Sequence, residues 1–470
     1  MLNSATPDVV AALKAALPSL RFIDDTAKYL EEPRGRYVGQ GIVVAPADTA
    51  EVAAVVKFCS DHALPVVPYA GGTGLVGGQI MEGGVVPIVL SMERMTRIRD
   101  VFPTENVLVC DAGCILADVQ AAALEAGRLF PLSLASEGSA RIGGLLATNA
   151  GGLNVLRYGN ARAQVLGLEV VTAQGDVLNG LTRLRKDNTG YDLRDLMIGS
   201  EGSLGIITAA ALKLVPKPSV EGTAMMVVPS PTAALDLLAM AQARIGEGIS
   251  AFELIGRQGL EFLDEVGPQV VKPFETHPDW CVLIDLGLPA GLDPQAALEE
   301  LFVEASEANI VTDGVIAQSQ QQRNDFWTIR ESIPAANKRI GSVSSHDISV
   351  PLSKIADYID EGRNNLAAIA DFRVNCFGHL GDGNLHFNVF PAKGKSRSEY
   401  EHLRGDVKKC VHDLVHKYNG SVSAEHGVGR LKVEDLERYS DPVKLQMMRA
   451  IKDALDPKGI MNPGAVLRAR

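Results

Sequence analysis

At 470 residues this chain is too long for one ordinary hydrophobic core and predicts two or three domains. Its 46% hydrophobic and 22% charged residues are globular proportions, and a formal net charge of -12 without a clustered basic face excludes a nucleic-acid or anionic-membrane surface.

In chain order, a short apolar strand over 41–45 ends at Pro46, and Asp48 or Thr49 can cap a helix. The apolar positions Val52, Val55, Val56 and Cys59 of that helix follow a 3.6 period, and a second strand begins over 64–67. Further strands are expected over 85–90, 107–110, 165–172 and 205–215, with a helix over 116–126. This dense half reads as α+β, without regular Rossmann alternation. Pro216-Lys217-Pro218 marks a boundary. Beyond it, helical patterns over 232–244, 294–308, 352–369 and 398–418 alternate with strands, which suits an antiparallel sheet covered on one side by helices. The expected domains are 1–215, 216–455 and a loop-like tail, 456–470, returning to the first.

Three glycine-rich segments stand out. Pro68-Tyr-Ala-Gly-Gly-Thr-Gly-Leu-Val-Gly-Gly78 holds a literal G-x-G-x-x-G at Gly72, Gly74 and Gly77. A Rossmann fingerprint must open a helix, and Gly78, Gly83 and Gly84 forbid one here. Such a loop can instead turn successive backbone N–H groups inward as an anion nest; a flexible surface loop is the alternative. Ser136-Glu-Gly-Ser-Ala-Arg-Ile-Gly-Gly144 with Ala147-Thr-Asn-Ala-Gly-Gly152, and Ile198-Gly-Ser-Glu-Gly-Ser-Leu-Gly-Ile-Ile207, repeat the theme. Three loops beside strands fit one long ligand crossed by several stretches of backbone.

These loops, with Leu184-Arg-Lys-Asp-Asn-Thr-Gly-Tyr-Asp192 and Gly459-Ile-Met-Asn-Pro-Gly464, resemble the vanillyl-alcohol-oxidase-like FAD superfamily, most nearly its D-lactate and D-2-hydroxyglutarate dehydrogenase branch. The resemblance covers nearly the whole chain. It implies a two-part FAD-binding domain and an α+β substrate, or cap, domain. It further implies that Gly71, Gly72, Thr73, Gly74, Gly77 and Gly78 cradle the pyrophosphate, that Ser136, Gly143, Gly144, Thr148, Gly151 and Ile207 line the flavin, and that Asn462 closes the site. Some relatives carry a flavin-linked histidine where this chain has Thr73, so FAD is expected to be non-covalent.

Val374-Asn-Cys-Phe-Gly-His-Leu-Gly-Asp-Gly-Asn-Leu-His-Phe-Asn-Val-Phe390 reads as a hairpin turning at Asp382-Gly383. That turn would set His379 directly opposite His386, with Asn388 on the same face and Leu385, Phe387 and Val389 toward the core. The alternative is a pair of polar histidines on an exposed hairpin. In Ser423-Ala-Glu-His-Gly-Val-Gly429 the glycines permit a bend at which Glu425 and His426 both approach one site. Two histidines and a carboxylate suit Zn²⁺, or Fe²⁺ or Mn²⁺, with an open position. The resemblance implies zinc on His379, His386 and Glu425, His426 as general base and Asn388 as a substrate contact.

Phe326-Trp-Thr-Ile-Arg-Glu331 predicts a helix ending before Pro334. Arg330 is either half of a salt bridge with a helix neighbour or, as the resemblance implies, a substrate-carboxylate clamp. The 2-hydroxyglutarate enzymes carry a threonine and a lysine where this chain has Pro334 and Ser345, which leaves room for D-lactate, D-malate or another D-2-hydroxy acid.

The six cysteines are scattered, only Cys110 and Cys114 lying close, and no signal peptide or membrane-length apolar run is apparent. Reduced, mostly buried thiols in a cytoplasmic protein are expected. The electron acceptor would be a partner such as an electron-transfer flavoprotein, cytochrome or quinone, and a homodimer is compatible with these features. Competing readings are the flavin subunit of a glycolate-oxidase-like complex, or a redox-neutral flavin transferase related to the ether-lipid synthases; the metal hairpin argues against the latter.

Overall fold

A computed structural model describes residues 1–469, and the chain divides into two compact units. The first comprises Met1–Gly152, Gly159–Lys217 and Glu425–Arg470; the second comprises Leu153–Tyr158 and Pro218–Ala424. The return to the first unit thus begins at Glu425 rather than 456, and a six-residue segment inside the first stretch belongs to the second unit.

The first unit opens with a four-stranded sheet in the order Arg21–Ile23, Ile42–Ala45, Ile88–Ser91, Val66–Tyr69, its last three strands parallel. Asp48 caps the helix Thr49–Asp61 by accepting from Glu51 N at 2.9 Å, and Val52, Val55, Val56 and Cys59 are its buried stripe. No helix follows the first glycine loop; the next regular element is the strand Ile88–Ser91. A second, antiparallel sheet runs Ile98–Phe102, Val107–Asp111, Ile206–Lys213, Val165–Val171, Val177–Gly180. The chain end adds to the edge of Val66–Tyr69, where Ile460 O and Asn462 N bond to the two backbone groups of Val66 at 2.8 Å each. All six cysteines are free, five of them buried.

A seven-stranded antiparallel sheet forms the second unit, in the order Asp313–Ile316, Val220–Val228, Trp280–Leu288, Ile249–Gly256, Phe372–His379, Asn384–Pro391, Asp347–Ser349. Its central strands are buried at every position, which requires cover on both faces rather than one. Val282, Ile284 and Leu254 pack under Pro231–Ile245, Pro294–Glu307, Ile355–Ala367 and Arg404–Lys417. The alternate residues Cys281, Leu283 and Ile255 pack under Arg257–Val266 and Gln320–Ile340.

Two local expectations are corrected. The helix Gln320–Ile340 runs through Pro334. An interior proline costs about 3 kcal/mol, but Phe326, Ile329, Ile333 and Ala336 bury one continuous stripe across it, in which the phenylalanine and the two isoleucines contribute roughly 1.5–3 kcal/mol each. In the hairpin, His386 pairs with Phe377, not His379. Leu380–Asp382 make a 3-10 turn and Gly383 takes φ +83°, so four residues join the strands. The slip is two residues, an even number, and therefore leaves every side chain on its expected face. Leu385, Phe387 and Val389 are fully buried in the core. Among the described residues no helix is long and apolar enough to cross a membrane.

Candidate functional site

Within the first unit, the glycine loops line a single concave pocket of the kind a cofactor occupies. Its wall includes Gly71, Gly72, Thr73, Gly74, Gly78, Gly143, Gly144, Thr148, Ile207, Asn462 and His426. Backbone rather than side chains can face the ligand because the loops close on one another through glycine. A Cβ on Gly71 would lie 2.3 Å from Ser139 O, and Gly72 has φ +70° with no room for a side chain beside Tyr69. This backbone-lined cradle fits a dinucleotide such as FAD.

Ser136, Gly77 and Gly151 are not among the residues that line this pocket. Ser136 closes a turn with its carbonyl, accepting from Ser139 N and Ala140 N, and Gly77 accepts from Arg430 Nη1 at 3.1 Å. Gly151 makes room for Glu425, since a Cβ there would meet Glu425 Oε1 at 2.6 Å; the same oxygen accepts from Gly152 N.

Arg430 and Glu201, which the sequence did not single out, join the expected Asn462 in a clasp that holds the cradle to the tail. Arg430 donates to Gly77 O, Gly78 O, Asn462 Oδ1 and Pro463 O, and burial pulls its guanidinium down to about 10. Asn462 Nδ2 donates in turn to Gly78 O and Glu201 O. The Glu201 carboxylate accepts from Val428 N and Gly429 N at 2.7 and 2.8 Å, fixing the bend beside His426. Burial raises that carboxyl above its usual range against the pull of the two N–H groups.

In the second unit, one sheet face gathers the remaining candidates. His379 pairs with Glu253 on the strand to its other side, and the His379 and His386 rings lie 5.7 Å apart between centroids with planes at 77°. Asp347 stands opposite His386. Two imidazoles on one face are a donor set that suits a divalent cation. Asn388 Oδ1 accepts from His346 N at 2.9 Å. Arg330 does not pair along its own helix: Nε donates to Glu253 Oε2 at 2.7 Å, and the guanidinium lies 5.1 Å from the Phe377 ring centroid. Glu253 Oε1 bonds His379 Nδ1 at 2.6 Å. Burial opposes ionisation of Glu253, yet His379 and Arg330 hold its carboxyl below its usual range.

Residues 41–180 match the family described as FAD binding domain, and residues 217–466 that described as FAD linked oxidases, C-terminal domain. A mitochondrial D-2-hydroxyglutarate dehydrogenase of Bos taurus is 39% identical over 466 residues, covering 98% of this chain and 83% of the relative. A D-2-hydroxyglutarate dehydrogenase of Xanthomonas citri pv. viticola is 37% identical over 462 residues, 97% of this chain and 96% of its own. The bovine name specifies a compartment other than the cytoplasm expected above. Among solved structures, p-cresol methylhydroxylase with substrate bound matches with a TM-score of 0.74 at 16% identity, covering 98% of this chain and 96% of that one, which shows the shared fold. The chain belongs to the FAD-linked oxidases, grouping there with D-2-hydroxyacid dehydrogenases, and is an FAD-dependent oxidoreductase.

Proposed function

We propose that the chain oxidises a D-2-hydroxy acid to the 2-oxo acid, with D-2-hydroxyglutarate the leading substrate and D-lactate or D-malate admitted by Pro334 and Ser345. The observation that carries this reading is His426 on the wall of the glycine-lined cavity, a proton acceptor beside a cofactor cradle. Non-covalent FAD, when bound, supplies at N5 the acceptor for the hydride leaving C2, and a divalent cation on His379, His386 and Glu425 (zinc, or iron or manganese) supplies a Lewis acid at the substrate oxygens.

The protein's own groups do the rest. His426 takes the hydroxyl proton as general base. Arg330 binds a substrate carboxylate, because Glu253 takes only the Nε corner of its planar fork. Asn388 is a further substrate contact. The alcohol thereby loses one proton from oxygen and one hydride from carbon. The electrons pass on to a carrier such as an electron-transfer flavoprotein, cytochrome or quinone.

Anaerobic bleaching of the bound flavin by a panel of D- and L-2-hydroxy acids, with and without a chelator, tests the proposal. Bleaching by D-acids that the chelator abolishes is expected. A preference for L-acids, or indifference to the chelator, rejects it.

A further inference from the structure

We propose that Glu253 is a positioning residue whose single carboxylate sets His379 as a metal ligand and Arg330 as a carboxylate clamp at the same time. The inference rests on the metal reading above. Glu253 is fully buried in Ile249–Gly256, between the core residues Phe252 and Leu254. A charge in that position is retained only with partners that compensate its lost hydration. Both partners are directional: Oε1 bonds His379 Nδ1 at 2.6 Å, and Oε2 accepts from Arg330 Nε at 2.7 Å.

The first bond selects a tautomer. A neutral imidazole donating from Nδ1 carries its lone pair on Nε2, the form a cation needs, and the bond fixes the ring's orientation. The second bond allows Arg330 to be buried, at 5% exposure, before any substrate arrives, and leaves the other edge of the guanidinium for a second anion. Because both oxygens belong to one rigid group, the nitrogen offered to the cation and the fork offered to the carboxylate keep a fixed offset. The cation-binding and carboxylate ends of a 2-hydroxy acid are thereby held in register. An ion pair of purely structural importance would carry no such link to metal affinity.

Holoenzyme and variants, stripped of metal by a chelator and matched for FAD content, are titrated with Zn²⁺ against a chromophoric chelator. Glu253→Gln is expected to weaken Zn²⁺ binding roughly 10–100-fold. Because that change leaves Arg330 without its counter-charge, the double variant Glu253→Gln/Arg330→Met is measured beside it and should show the same loss. Arg330→Met alone should keep the Zn²⁺ affinity and raise KM for D-2-hydroxyglutarate. Unchanged affinity in both Glu253 variants, with affinity lost in His379→Ala, overturns the role of Glu253. Unchanged affinity in His379→Ala overturns the metal reading instead.

Discussion

Asparagine at position 426 approximates the size and hydrogen-bonding reach of an imidazole but cannot accept a proton near neutrality. His426→Asn is therefore expected to retain FAD and metal while slowing flavin reduction by substrate at least ~100-fold, as followed by anaerobic stopped-flow. An unchanged rate removes His426 from the base role. The histidines were readable because Asp-Gly turn chemistry and glycine-flanked bends surround them. Glu253 was not readable: its partners are 77 and 126 residues away, and it sits among the apolar residues Ala251, Phe252, Leu254 and Ile255. A carboxylate in the middle of a strand that is otherwise core was the available signal, since such a group is buried only when paired.

At the scale of elements, the hairpin and the antiparallel sheet of the first unit each carry a prediction. Gly383 closes the hairpin turn at φ +83°, and a Cβ there would lie 2.6 Å from Val350 O. Gly383→Ala should lower stability by about 1–3 kcal/mol in denaturant unfolding; an unaffected midpoint contradicts this turn. In the first unit, Arg99 spans the sheet, donating to Asp111 at 2.6 Å and Glu169 at 2.8 Å, while Thr49 and Thr208 also bond Glu169. Burial opposes ionisation of Glu169, yet those hydrogen bonds hold its carboxyl below the usual range. A depressed carboxylate adds stability that is present above its unfolded pKa and lost as pH falls through the folded one. Arg99→Met should therefore cost roughly 3 kcal/mol at neutral pH and flatten the acid side of the stability profile. Unfolding curves at neutral pH and below about pH 4.5 check both the size and the sign.

For the whole molecule, Thr73 in the cradle offers no imidazole for a flavin link, so acid precipitation should leave a yellow supernatant; a yellow pellet contradicts non-covalent binding. Removing FAD should lower the melting temperature, and restoring it to about 100 times its Kd should return roughly 2.7 kcal/mol. The sequence by itself determined the α+β class and the parity that keeps His379, His386 and Asn388 on one strand face. Those features depend on turn residues and periodicities among near neighbours, and an even register slip cannot move a side chain to the other face. Tertiary structure alone decided the second covered face of the large sheet, the passage of a helix through Pro334, the return of the chain at Glu425, and the meeting of Glu253 with Arg330 and His379. Each of these depends on packing between residues far apart in sequence, where burial outweighs local preference.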